Sequence, residues 1–325
     1  MMANVNMRQI DSFDIAKFVM SIMIVALHSL LFLNTKWSLW LWPWVRVAVP
    51  LFFIISSFLY FSKNKSGSGT ALVRFMMRIL KLYFFWLVVS FSITGVSKWG
   101  GVYDFLRRFL LGGTFGASWY LMGLFFGIWI AIIRNKFILS SIAVVAYAIC
   151  CYTSSYMKLF GADLSSILDI ITPQQSFIVA IFWCWIGKLM ATDDLRLSGC
   201  STRMLCVFLV FGSIVFWLEW AMVWHFTGLH MNDCYISLFI PVILIFELLR
   251  RWRITLECAL ILRQLSVVIF LSHVAVMTLI AKVLPRHWLL NVPLFLFTLM
   301  VSTVIYVMLK FLRDKLKVKI LSWAY

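Results

Sequence analysis

Acidic residues are scarce in this chain. Asp and Glu number 12 against 29 Lys and Arg, and charged residues together occupy only 13 % of 325 positions. Beside 63 % hydrophobic residues and a mean hydropathy of +0.98, so small a charged fraction excludes a water-soluble globular protein. Metal-ligand spacings are missing too. None of the seven cysteines forms a CxxC pair or has a histidine at ligand spacing, so neither a zinc site nor a disulfide framework is expected. Most of them fall in or beside apolar runs and read as small buried hydrophobes. The six prolines are scattered, and no internal repeat or paired break marks two matching halves. No small-x-small cleavage site follows the first apolar run, which is too long and too polar for a signal peptide. It is expected to remain as a spanning helix.

Apolar runs long enough to span a bilayer recur about ten times, near 15–34, 44–62, 79–97, 118–133, 137–154, 177–191, 204–224, 234–249, 265–283 and 289–311. They predict an all-α polytopic bundle of about ten transmembrane helices, one domain over 1–325. With both termini cytoplasmic, that side collects 21 Lys and Arg and the other keeps eight. The positive-inside rule therefore orients the chain as a multi-pass protein of the inner or plasma membrane. It also explains the net charge of +17 through lipid rather than nucleic acid as partner.

Two connections stand out on the cytoplasmic side. Residues 62–70 (SKNKSGSGT) read as a flexible loop, and it leads into 74–81 (RFMMRILK), where Arg74, Arg78 and Lys81 share a helical face. On the outer side, 155–176 and 225–233 are the polar loops. The run WSLWLWPW at 37–44 suits the interfacial aromatic belt, and VYDFLRRFLL at 102–111 reads as an amphipathic helix lying in the interface.

The first run, DSFDIAKFVMSIMIVALHSL at 11–30, carries Asp14, Lys17, Ser21 and His28. At 3.6 residues per turn, positions 17 and 28 are three turns apart on one face, about 16 Å along the axis. Asp14 lies a turn before Lys17, and Ser21 a turn after it. Charged groups in a spanning helix cost about 3 kcal/mol each on insertion scales, so they face a protein interior or a wet cavity. This face is expected to wall a site.

The order of features resembles the membrane-bound acyltransferase 3 family. DIAKFVMSIMIVALHS resembles its first-helix signature, a basic residue, ten positions, then a histidine; Lys17 and His28 have that spacing and Asp14 stands where the family has its Asp. RVAVPLFFIISSFLYF at 46–61 is similar to the second-helix motif, RILKLYFFW at 78–86 to the basic stretch opening the third helix. SWYLMGLFF at 118–126 and SVVIFLSHVAV at 266–276 resemble the WfL and iYLxH segments. Departures exist: Lys replaces Arg at 17 and 81, which loses the bidentate fork, and Ser57 replaces a small glycine. Leu121 through Phe126 lack the acidic residue that many members carry after the tryptophan, and no appended extracellular esterase-like domain is expected.

The resemblance implies an O-acyltransferase moving an acetyl or other short acyl group from cytoplasmic acyl-CoA to a hydroxyl of a cell-surface glycan or its lipid-linked precursor. Acetyl-CoA would be a donor, with no cofactor bound permanently and no metal. Lys17, Arg78 and Lys81 are then expected to meet the CoA phosphates. His28, with an unperturbed pKa near 6.5, is expected to act as general base on the acceptor hydroxyl or to form a covalent acyl-imidazole. Asp14 would hold Lys17, with Ser21, Arg46, Trp119, Tyr120 and His273 supporting or lining the cavity. Glu219, His225, His230, Asp233 and His287 are outer-side candidates for sugar contact. The competing class is a transporter or flippase of a glycan or small metabolite, which the missing repeat argues against.

The charge asymmetry makes a direct prediction. A cysteine placed at Ser66 stays unlabelled by a membrane-impermeant maleimide in intact cells and labels after permeabilisation. Efficient labelling from outside would invert the orientation.

Overall fold

The computed structural model describes residues 11–31, 40–64, 67–94, 101–102, 106, 116–161, 172–228, 232–283, 291–317 and 319–325. Among these residues there is no strand; apart from one four-residue helix, ten longer α-helices build the bundle. They are α1 (Asp11–His28), the short α2 (Trp42–Val45), α3 (Ala48–Lys63), α4 (Gly69–Thr94), α5 (Trp119–Ala131) and α6 (Lys136–Cys151). There follow α7 (Phe177–Thr192), α8 (Thr202–Thr227), α9 (Phe239–Arg251), α10 (Ala259–Val283) and α11 (Asn291–Leu316). The expected amphipathic helix at 102–111 and the tip of the 155–176 loop fall largely outside the described residues, as do His230 and His287.

Helix ends follow from local chemistry. Asn135, in extended backbone, accepts from the Phe137 and Ile138 amides and starts α6. Ser176 and Ser201 do the same for α7 and α8. Asp193 and Gly228, both left-handed, end those two helices. Lys188 Nζ donates to the Ala131 and Ile133 carbonyls at 2.7 and 3.0 Å, satisfying the C-terminus of α5 from a neighbouring helix.

Five segments are long and apolar enough to cross a membrane: Trp42–Lys63, Lys136–Phe160, Thr202–Thr227, Ala259–Val283 and Asn291–Leu316. Together with the shorter apolar helices, they make this a membrane protein. The segments containing α6, α8 and α11 bury the least surface and form the rim, where residues such as Val207, Phe211, Leu296 and Val304 present apolar side chains outward. α1, α3, α5, α7 and α10 form the centre. The short α5 packs along α7 and buries most of its residues, with Trp129 left facing outward.

Two features fix the central packing. First, α1 and α10 run parallel and in register. The Asp11 carboxylate accepts from the Leu256 amide at 2.8 Å, and 17 residues later along both segments the His28 and His273 rings meet. Second, α3 and α7 approach closely because Gly187 faces Ser57. A Cβ at Gly187 would lie 1.9 Å from Ser57 Oγ and 2.8 Å from the Ile54 carbonyl. The small residue lost at Ser57 is thus supplied by the partner helix. The serine hydroxyl turns back onto its own helix, donating to the Phe53 carbonyl at 2.7 Å.

This contact predicts that Gly187→Ala lowers stability by about 1–3 kcal/mol through overpacking. Adding Ser57→Ala recovers part of the loss, read as a coupling in thermal unfolding of the purified protein. Strict additivity of the two changes would show that the helices are not in contact here.

Candidate active site

The bundle has two ends of different character. At the end holding Asp11, Lys63, Lys136 and Arg251, polar ties link the helices. Glu247 is fully buried, and Arg250 and Arg251 both donate to it at 2.7–2.9 Å. Arg251 reaches on to the Leu197 and Cys200 carbonyls at 2.5 and 2.6 Å. This is the basic end. The opposite, far end is where α1 finishes at His28.

Lys17 lies toward the basic end of α1, half-buried, with Asp14 buried one turn before it. Its electrostatic neighbours are Asp14 and the cations Arg263, Arg78 and Lys63. Lys17 and Arg78, distant in sequence, are therefore brought together as expected. Arg263 joins them from the start of α10, a residue that sequence spacing gave no reason to single out. Lys81 does not join this group; it is exposed, with its ammonium 5.4 Å over the Trp323 ring. Four cations around one buried carboxylate leave a net positive patch.

A cavity of about 550 Å³ occupies the far end. From α1 its lining takes Ile24, Leu27 and His28, with Leu30 just beyond it, so Lys17 lies about two turns below its floor. His28 is open to the cavity, and its ring centroid lies 4.9 Å from that of His273. His273 is fully buried, and its Nδ1 is 2.7 Å from the Phe270 carbonyl oxygen. A carbonyl only accepts, so Nδ1 carries the hydrogen and Nε2 presents a bare lone pair. That Nε2 has no hydrogen-bond partner among the described residues.

The opposite wall is ionic. Arg46, following α2, pairs with Asp233, whose second carboxylate oxygen accepts from Gln175 Nε2 at 3.4 Å. The Arg46 guanidinium also lies 5.2 Å over the Trp42 ring. The Asp233 and Cys234 amides donate to Ser154 Oγ, which pins the loop. Trp119 and Trp183 complete the lining, with Gly116, left-handed at φ +64°, packed so closely on α10 that a Cβ would lie 2.9 Å from Val274.

Several candidates have structural work instead. Tyr120 does not reach the cavity. Its hydroxyl donates to the Phe52 carbonyl at 3.1 Å beside Ser56, and its ring packs on Phe53 and Phe270 under the cavity floor. Ser21 is buried and donates to the Phe18 carbonyl at 2.7 Å within α1. Glu219 accepts from Tyr156, from the Ile236 and Ser237 amides at 2.7 Å, and from the Ser237 hydroxyl. It staples α8 to the segment that carries Asp233. His225 is exposed against Phe226, away from the lining. Gln174, Gln175 and Trp183 line the cavity although sequence reasoning passed over them. The QQ pair just before the Ser176 cap was the signal available.

An acyltransferase-domain family model matches residues 10–310 of the chain. The chain belongs to the acyltransferase 3 family. No curated protein and no solved structure matches it. Membership makes the protein a membrane acyltransferase. The match spans α1 to the last turns of α11, and so includes both the cationic patch and the two-histidine cavity.

The stapling role of Glu219 is testable. Glu219→Ala strands two hydroxyls and two amides, and each buried unpaired donor costs about 1–3 kcal/mol. Unfolding of the purified variant should begin at clearly lower temperature than wild type. An unchanged transition would show that water replaces the carboxylate at this site.

Proposed function

We propose that the protein moves an acetyl or other short acyl group from acyl-CoA, met at the basic end, to a hydroxyl of a glycan or lipid-linked saccharide met at the far end. The observation that supports this reading most is the placement of two sites on one helix. α1 carries Lys17 in the cationic patch and His28, three turns on, in the cavity. The basic end is then cytoplasmic, as the distribution of Lys and Arg requires. The CoA phosphates meet Lys17, Arg78 and Arg263, where charge-assisted contacts are strongest. The pantetheine arm extends from the patch toward His28. Lys81 serves at the rim rather than as a direct ligand.

In the cavity, His28 takes the proton of the acceptor hydroxyl as its oxygen attacks the thioester carbonyl. A C–O bond forms, the C–S bond breaks, and the CoA thiolate leaves and recovers the proton. His273 packs against the His28 ring with its tautomer fixed by the Phe270 carbonyl, and so orients the base. Asp14 acts two sites away, holding Lys17 among the like charges that surround it.

Two variants test the assignment. His28→Ala and His28→Gln should each lower glycan acylation by ~10² to 10⁴-fold at matched membrane levels, with acyl-CoA binding retained. Near-normal transfer by His28→Gln would move the base elsewhere, first to His273. Arg78→Gln should weaken acyl-CoA binding in a salt-dependent way, because partly exposed charge contacts are screened. Unchanged affinity in a folded Arg78→Gln protein would reduce that residue to a membrane anchor. Labelling membranes with radiolabelled acetyl-CoA and identifying the product names the acceptor.

A further inference from the structure

We propose that the cavity is an acceptor site for an uncharged, hydroxyl-rich saccharide unit, and that the Arg46–Asp233 pair excludes acceptors bearing a carboxylate. The inference rests on the glycan reading above and adds the charge class of the acceptor.

The lining supplies the argument. Trp119 offers an apolar indole face of the kind that the C–H face of a pyranose ring covers, with Trp42 and Trp183 buried behind the wall. Two neutral amides, Gln174 and Gln175, offer donors and acceptors suited to hydroxyl groups. A volume of about 550 Å³ lies in the range of small-molecule sites. Apart from the two histidines, the charged residues of the lining are Arg46 and Asp233.

Those two charges cancel. Arg46 is the group that an acidic sugar would seek, because a guanidinium binds carboxylates bidentately. Asp233 already occupies it, with the two side chains 9 % and 25 % exposed. The Asp233 carboxylate is held in turn by Gln175, and its own backbone is pinned by Ser154. A uronate entering the cavity would have to displace Asp233 from Arg46 or lie beside it, and like charges set side by side oppose binding. A neutral sugar meets no such opposition. It can donate a hydroxyl to an Asp233 oxygen while the ion pair stays closed. The wall therefore selects by repulsion as well as by contact.

The test uses the purified full-length protein in lipid nanodiscs with acetyl-CoA and three acceptors: octyl β-D-glucoside, octyl β-D-glucuronide and octyl β-D-glucuronamide. The last two differ in charge and hardly in shape, so their ratio isolates the charge. Wild type should acylate the amide on the order of tenfold better than the acid. Asp233→Asn leaves the Arg46 charge uncompensated and should bring that ratio to about one or invert it; Asp233→Glu should keep the preference for the amide. Equal use of acid and amide by wild type overturns the proposal and leaves the glycan reading standing. So does a ratio that Asp233→Asn fails to move in protein that is monodisperse and still binds acetyl-CoA. Transfer to none of the three sugars, with the acetyl group appearing on another class of membrane product, overturns the glycan reading and this inference together. The wild-type ratio decides even where the variant does not fold.

Discussion

The structure depends on the register between α1 and α10. Both helices run in the same direction, and the same sequence offset that seats the Leu256 amide on Asp11 sets His273 against His28. A slip of one turn, about 5.4 Å, would separate the rings and free a carboxylate in a place where water is scarce. The amide contact at the basic end therefore sets the imidazole geometry at the far end. Between them lies an aromatic block, Phe52, Tyr120 and Phe270 with centroids 5.1–5.8 Å apart, which keeps α10 from sliding against α3 and α5.

Polar groups in this bundle divide by whether their partners are local. Ser21, Ser57, Thr278 and Thr303 each bond a carbonyl of their own helix three or four residues back, which satisfies the hydroxyl and specifies nothing at a distance. Glu219 and Asp233 bond across elements instead, and Glu247 orients Arg251 of its own helix toward the Leu197 and Cys200 carbonyls. Such groups are costly to bury and hold loops in one place. Glu219 ties α8 to residues 236–237, and Asp233 ties its loop to Arg46 on the cavity wall itself.

The fold was legible because lipid imposes length and hydropathy on every span, and all ten apolar runs became helices of the bundle. The Lys17–His28 stripe was legible because helical spacing is local. What spacing could not supply is contact between distant segments. Arg263 beside Lys17 and Asp233 beside Arg46 are separated by 246 and 187 residues, and single-sequence pattern has no term for such pairs. Lys81 shows the opposite failure. It shares a helical face with Arg78, yet a cation–π contact with Trp323 from the other end of the chain turns it aside. The loss of glycine at Ser57 looked like a packing defect until its partner Gly187 was known.

The parallel pairing has a consequence for biogenesis. α1, with Asp11, Asp14, Lys17 and His28 on it, leaves the ribosome about 245 residues before α10 is made. At roughly 5–20 residues per second, α1 waits on the order of 10–50 s for the helix that covers its histidine and receives its first carboxylate. During that interval its polar stripe lacks the cover of α10, and a bare bilayer core would tend to expel it. The opening helix of this protein must therefore be held during synthesis, by the insertion machinery or by α3 as it arrives. Changes that lengthen the delay between the first and tenth helices will act on yield before they act on catalysis.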